Sequence, residues 1–330
     1  MTAKPQLGFL GTGWIGRHRM EAMLATGAIE AVAVAEPDDE SRAAAIGLAP
    51  AAMPLETIDE LLAQDLDGIV IASPSALHAE QSIRALEKGF AVFCQKPLGR
   101  SADEVRGVVE AARTADKLLG VDLSYRHTAG MQAIHPLLQG GELGRIFAAD
   151  LVFHNAYGPD KPWFYDPAQS GGGCVMDLGV HLVDLALWAL DWPEVIDVQS
   201  HLFADGEPLR DPAARCEDYA VATITLAGGA VIRLGCSWRL QAGVEAVIGA
   251  DFYGTQGGAS LRNEAGSFYD FTAHRLAGTQ SSPLAGLESD WGGRAATDWA
   301  RRLAAGEGFA AEVERLVDVS GVLDRIYRRD

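Results

Sequence analysis

Basic residues are scarce in this chain. Its 27 lysines and arginines face 45 aspartates and glutamates, a formal net charge of -18. A surface of that sign repels a phosphate backbone, which argues against nucleic acid as the main partner. Cysteine is scarcer still. Cys94, Cys174, Cys216 and Cys236 lie far apart with no C-x-x-C pair, so reduced and mostly buried thiols are expected, and with them a cytoplasmic protein. No apolar run approaches the roughly 18 residues of a membrane span. The longest candidate, 180–190, is broken by His181 and Asp184. The N-terminus passes from Lys4-Pro5 straight into an apolar segment, which argues against a cleaved signal peptide. Internal repeats and low-complexity tracts are missing too.

What is there in quantity is apolar material. Hydrophobic residues make up 48% of 330 positions, enough for real cores and, at this length, about two domains. Over the first 120 or so residues, short apolar strands (6–10, 30–36, 67–72, 90–94, 118–122) alternate with helical patterns (14–25, 76–88, 101–116). That alternation predicts an α/β domain over 1–123, a parallel sheet wound on both faces. Beyond it the pattern changes. Strand patterns at 146–154, 195–203, 219–226, 231–238 and 244–253, two of them joined by Gly228-Gly229, predict an α+β domain over 124–330 with a large, mostly antiparallel open sheet. Helical patterns near 294–304 and 309–327 close the chain.

Gly11-Thr12-Gly13-Trp14-Ile15-Gly16 fits G-x-G-x-x-G. It follows an apolar strand and opens a helix, the context in which those glycines give a tight turn, close approach to a pyrophosphate and helix packing. The helix N-terminus then offers free N–H groups to the phosphates. Glu36, 20 positions beyond Gly16 (36−16), ends the second strand, where a carboxylate grips a ribose 2′-hydroxyl and repels a 2′-phosphate. No Arg or Lys lies between Pro37 and Glu40, so NAD is expected over NADP.

A second glycine run, Gly171-Gly172-Gly173, leaves bare backbone that a ligand can approach. The helical pattern after it carries Asp177, His181 and Asp184, positions i, i+4 and i+7 of one face. A carboxylate beside an imidazole is the equipment of proton transfer. Asp177 would favour the charged ring and the helix N-terminus would disfavour it. The plain alternative is a buried, hydrogen-bonded histidine with Asp177 as helix cap. The spacing also suits metal ligands, but no Cys or His cluster completes a set, and hydride transfer to NAD needs no metal.

Gln95-Lys96-Pro97 follows the strand at 90–94. Taken with the first glycine motif, Ser73-Pro74-Ser75-Ala76-Leu77-His78, the second glycine run, Asp177-x-Gly-x-His181 and the trailing Asp184, the chain resembles the glucose–fructose oxidoreductase/inositol dehydrogenase/MocA (Gfo/Idh/MocA) family over nearly its whole length. The resemblance implies a Rossmann domain followed by a substrate and oligomerisation domain. It also implies a pyridine-nucleotide oxidoreductase acting on the CH–OH groups of sugars, inositols or related polyols. Lys96 matches that family's active-site lysine, and Asp177 and His181 its acid/base pair. One departure stands out. The family's usual Glu-Lys-Pro is here Gln95-Lys96-Pro97, which removes a negative charge beside the lysine.

The expectations are therefore these. Gly11, Thr12, Gly13, Trp14, Ile15, Gly16, Glu36, Ser73, Pro74, His78, Gln95 and Lys96 bind the cofactor. Lys96, Asp177 and His181 are catalytic, with His181 or Lys96 as proton acceptor. Tyr125, Arg126, Tyr157 and Trp163 wall the substrate pocket, aromatic faces suiting sugar C–H surfaces and Arg126 suiting hydroxyl or carboxylate groups. The partners are a small polyol or sugar and further copies of the chain, a dimer or tetramer through the second domain's sheet, with no membrane. The rivals are an NADPH-dependent carbonyl or imine reductase and a non-catalytic NAD(P)-sensing regulator.

Overall fold

The computed structural model describes residues 4–329. Its first unit holds a six-stranded, all-parallel sheet of β1 (Gln6–Leu10), β2 (Glu30–Ala35), β3 (Met53–Leu55), β4 (Gly68–Ile71), β5 (Ala91–Cys94) and β6 (Leu119–Val121), in the order β3-β2-β1-β4-β5-β6. Interleaved are α1 (Trp14–Ala25), α2 (Asp39–Leu48), α3 (Ile58–Leu62), α4 (Ser75–Glu87) and α5 (Ala102–Ala115). The strands are almost continuously apolar because both faces are covered. Leu7, Phe9, Val34, Val70 and Phe93 belong to one buried cluster; Ile69, Ile71, Val92 and Cys94 belong to the other. The strand order reverses between β1 and β4, the point where open α/β sheets take ligands beyond the strands' C-terminal ends.

The short elements α2, β3 and α3 escape the sequence pattern. They are set by local chemistry rather than periodicity. Asp38 caps α2 by accepting from the Ser41 amide, and Thr57 with Glu60 forms a capping box at α3.

The second unit begins at Leu123. It contains α6 (Ala129–Gln139), β7 (Ile146–Asn155), α7 (Pro167–Ser170), a π-helical turn at Val175–Gly179 and α8 (Val180–Ala189). There follow β8 (Val195–Ala204), β9 (Glu207–Pro208), β10 (Tyr219–Leu226), β11 (Val231–Ser237), β12 (Ala246–Gly254), β13 (Gly258–Asn263), β14 (Phe271–Ala277) and β15 (Gln280–Ala285). They make one nine-stranded sheet, β15-β14-β13-β12-β7-β11-β10-β8-β9, antiparallel except where β7 runs parallel to β11. Leu151, Phe153, Ile224, Leu234, Ile248, Phe252 and Leu261 are buried on the face toward α6 and α8. The alternate positions on the other face include the exposed ion pair Asp150–Arg233. Among the described residues, the one helical run long and apolar enough to cross a membrane is Pro167–Ala189, and it is largely buried as the core helix of this unit.

The first unit runs to Asp122, and the C-terminal segment expected in the second unit does not all belong there. Gly293–Val317 folds with the first unit. There α9 (Arg294–Ala304) places Ala295, Ala296, Trp299 and Ala300 in the same cluster as Met20 and Met23 of α1, with Trp299 packed on Phe93. An apolar stripe read from sequence does not say which sheet it covers. The last helix, α10 (Arg315–Tyr327), follows.

Candidate active site

The first glycine motif sits where β1 turns into α1. Gly11 takes a φ of +80°, and a Cβ on Gly16 would lie 2.2 Å from the Gly11 carbonyl oxygen, so neither position admits a side chain. Gly13 differs: a Cβ there would meet nothing within 4 Å. It is the N-cap of α1 and brings no side chain to the first-turn amides, which leaves them to an anion. These residues fit a dinucleotide pyrophosphate. Glu36 is turned toward the loop, its carboxylate accepting from the Thr12 amide at 2.6 Å and from the Asp38 amide at 3.1 Å. Trp14 is exposed and Ile15 half-buried at the start of the helix. Arg42, outside the window that sequence reading weighed, folds back here. Its Nη1 donates to the Glu36 carbonyl oxygen at 2.5 Å, and its Nη2 pairs with Asp39.

The β4 and β5 ends carry the next group. Lys96 is half-buried and joined to Pro97 by a cis peptide. Two residues read as cofactor contacts are turned inward instead. The Ser73 hydroxyl donates to Gln81 Oε1 at 2.5 Å. His78 is 1% exposed, with both ring nitrogens against protein carbonyls. A buried ring whose polar atoms are already engaged has nothing left to offer a ligand.

Gln95 has a structural explanation that its sequence context hides. Its amide Nε2 donates to Asp122 Oδ2 at 2.6 Å, and Arg19 Nε reaches the same oxygen at 2.6 Å. Asp122 is 2% exposed. The carboxylate missing at position 95 is thus present on β6's exit, and Gln95 is the neutral donor it needs. A glutamate at 95 would set two buried carboxylates 2.6 Å apart, and one must then hold a proton. Gln95→Glu is expected to lower stability by about 3 kcal/mol at neutral pH relative to the parent. The pair's raised pKa means the deficit shrinks as pH falls toward 5. Urea melts of both proteins at the two pH values measure it; an equal deficit at both would exclude charge as the cause.

In the second unit, the glycine run is not open to ligand. Gly171, Gly172 and Gly173 are buried. A Cβ on Gly173 would lie 1.9 Å from the Glu217 carbonyl oxygen, and one on Gly172 2.1 Å from the Tyr327 hydroxyl. The bare backbone admits protein. Glu217, 0% exposed, accepts from the amides of Gly173 (3.1 Å) and Val175 (2.8 Å) and from the Tyr327 hydroxyl (2.7 Å). Burial pushes its carboxyl up, and those donors oppose the shift. Glu217 therefore anchors the start of the helical segment that carries Asp177 and His181. Sequence reading passes over it, since its partners lie 42 and 110 positions away.

Asp177 falls in the π-helical turn, a local widening that recurs at functional sites. Its Oδ2 accepts from the Trp238 indole Nε1 at 3.0 Å. His181 follows in α8, its ring 5.0 Å from the Tyr125 ring and 6.4 Å from Phe153. Asp184 does not join them. It is 2% exposed and paired with Arg126, whose guanidinium also lies 5.1 Å from the Trp192 ring centroid. Burial raises the Asp184 pKa and Arg126 holds it back. The fork expected to bind substrate is thus engaged inside the protein.

Tyr125 is the hub of an aromatic cluster. Phe271 and Trp291 flank it besides His181 and Phe153, and Trp291 also meets Tyr269. Burial, with Tyr269 and Asp177 nearby, pushes its phenol well above the usual range. Tyr157 is exposed against Phe268, and Trp163 stacks on Phe164; neither is among the rings that touch His181. The structure brings Tyr125 to His181 and adds Trp238, Tyr269 and Trp291, which lie far along the chain in irregular connections.

Comparison with known proteins gives the family. Residues 6–123 match the profile of the oxidoreductase family with NAD-binding Rossmann fold, and 131–260 match the GFO/IDH/MocA C-terminal domain. An Amycolatopsis mediterranei protein described as an oxidoreductase subunit for UDP-kanosamine synthesis is 32% identical over 273 residues, 77% of this chain and 74% of that protein. The chain belongs to the Gfo/Idh/MocA family. Residues 6–123 carry that family's NAD-binding Rossmann fold. Escherichia coli D-glucoside 3-dehydrogenase is 29% identical over 61% of the chain, and the match spans 60% of that relative's length. Levoglucosan dehydrogenase, solved with NADH and levoglucosan, has the same fold: TM-score 0.84 at 20% identity, covering 99% of this chain and 97% of that one.

Proposed function

We infer that this family member is an NAD-dependent dehydrogenase of neutral sugars or polyols. The single observation that carries the reading is the start of the π/α segment: a carboxylate held by the Trp238 indole, an imidazole four residues on, and aromatic rings around it. The glycine loop would hold the pyrophosphate of a dinucleotide, whose nicotinamide would supply the hydride acceptor or donor. Lys96 binds the oxygen of the reacting hydroxyl and stabilises its developing charge. His181 takes the hydroxyl proton in oxidation and gives it back in reduction. Asp177, steadied by Trp238, orients the substrate and the ring.

Two features support a neutral substrate. The aromatic cluster suits the C–H face of a pyranose or cyclitol, and Arg126 is already paired with Asp184, so a phosphate would meet Asp177 without that guanidinium. A panel of neutral sugars, inositols and matching sugar phosphates with NAD, followed by reduced-nicotinamide absorbance, tests this. Turnover restricted to the phosphates would refute it.

The preference for NAD rests on Glu36 and its acidic surroundings, Asp38, Asp39 and Glu40, with Arg42 neutralised by Asp39. Glu36→Ala should improve NADP binding relative to NAD by about tenfold or more, roughly 1.4 kcal/mol. Titration of both cofactors by fluorescence reads it; an unchanged ratio would remove Glu36 from the discrimination. Association of copies through the open face of the nine-stranded sheet is part of the same reading, since that face carries half-buried Val152, Val221, Val247 and Tyr253 beside the Asp150–Arg233 pair. A monomeric mass in solution would count against it.

A further inference from the structure

Lys96 carries its amine on a flexible four-carbon stem, so the backbone beneath it must be fixed by something else. A shift of about 1 Å in a reacting group can lower a rate about a hundredfold. The turn that bears Lys96 is held from α4 by one buried ring. His78 Nδ1 lies 2.6 Å from the Pro97 carbonyl oxygen and Nε2 2.7 Å from the Ser73 carbonyl oxygen. The loops leaving the neighbouring parallel strands β4 and β5 are thus tied to one side chain. Carbonyls only accept, so a neutral ring with one N–H donates to one of them and a protonated ring donates to both. Burial lowers the pKa of His78, with a further push from Lys96, while the two carbonyls oppose the shift.

We propose that His78 is the positioning residue of Lys96: its Nδ1–H, donated to the Pro97 carbonyl, fixes the backbone that carries the amine. This rests on the reading of Lys96 as a substrate-side group. The two nitrogens give the test its resolution. An asparagine amide reproduces the Nδ1 position and a glutamine amide the Nε2 position. His78→Asn is expected to keep kcat within about threefold of the parent, and His78→Gln to lose at least about tenfold. NAD affinity stays close to that of the parent in both, and the thermal midpoint falls by a similar few degrees in each, since either amide leaves one buried carbonyl unpaired.

A second readout needs no substrate. The chain has five lysines, Lys4, Lys88, Lys96, Lys117 and Lys161, so 13C-dimethylated protein gives few NMR signals. The Lys96 signal, assigned by its loss in Lys96→Arg, should stay single in His78→Asn and broaden or double in His78→Gln. Equal behaviour of the two variants, whether both active, both slow or both unfolded, overturns the proposal. Lys96→Ala is run alongside on the best neutral sugar. If it keeps full turnover, the catalytic reading of Lys96 falls; if it loses turnover while Asn and Gln at 78 do not separate, only the positioning role falls.

Discussion

Lys96→Ala and His181→Ala should each lower kcat for sugar oxidation by about 10²–10⁴-fold, with NAD still bound at close to parental affinity. The glycine loop and Glu36 belong to β1, α1 and β2, and neither substitution touches them. On the proposed reading the loss has two distinct origins: without Lys96 the substrate oxygen would develop negative charge against no cation, and without His181 its proton would have no acceptor in place. If both groups act in one step, as proposed, their losses are not additive. The double variant should be little slower than the slower single. Single-turnover reduction of NAD by stopped-flow absorbance, with the best neutral sugar saturating, measures all four proteins. Multiplying losses would mean the two residues serve separate steps.

Gly173→Ala is expected to be the most damaging single methyl in the chain. The new Cβ would lie 1.9 Å from the Glu217 carbonyl oxygen and within 2.9 Å of the Glu217 amide nitrogen, backbone atoms that cannot swing away as a side-chain tip would. Moving them pulls the Glu217 carboxylate from the Gly173 and Val175 amides and the Tyr327 hydroxyl, leaving buried donors unpaired. Overpacking and lost hydrogen bonds together should lower stability by about 3–5 kcal/mol, or roughly 10 °C in Tm. Gly171→Ala is no control, since Gly171 has a φ of +82°. Gly206 also has a positive φ, +80°, but a Cβ there meets nothing within 4 Å, so Gly206→Ala isolates the backbone term and should lower stability by about 1 kcal/mol. Calorimetry of both variants decides. Similar Tm values for the two would show that Glu217 is not the anchor described.

Much of this protein is legible in its sequence because much of it is local. The order of β1, α1 and β2 and the placing of Glu36 against the loop follow from a strand, a glycine turn and a helix start within 36 residues. What escapes is held by distant partners. The glycines at 171–173 read as a ligand surface because sequence shows bare backbone and not Glu217 or Tyr327 filling it. Arg126 looks like a pocket wall until its pairing with Asp184, 58 positions away, is seen. Gln95 looks like a loss of charge until Asp122 appears beside it. Trp238, Tyr269 and Trp291 have no period or motif to mark them. The C-terminal helix α9 is correctly bounded from sequence, yet its destination is fixed by Trp299 meeting Phe93, a contact no pattern announces.

The most direct test of the account is a crystal structure of the protein with NADH and its best neutral sugar bound. The account predicts Lys96 Nζ and a His181 ring nitrogen within about 3.2 Å of the same substrate oxygen, with the pyrophosphate on the Gly13 side of the loop and Asp177 still on Trp238. An oxygen contacted by only one of the two residues, or by neither, would contradict it.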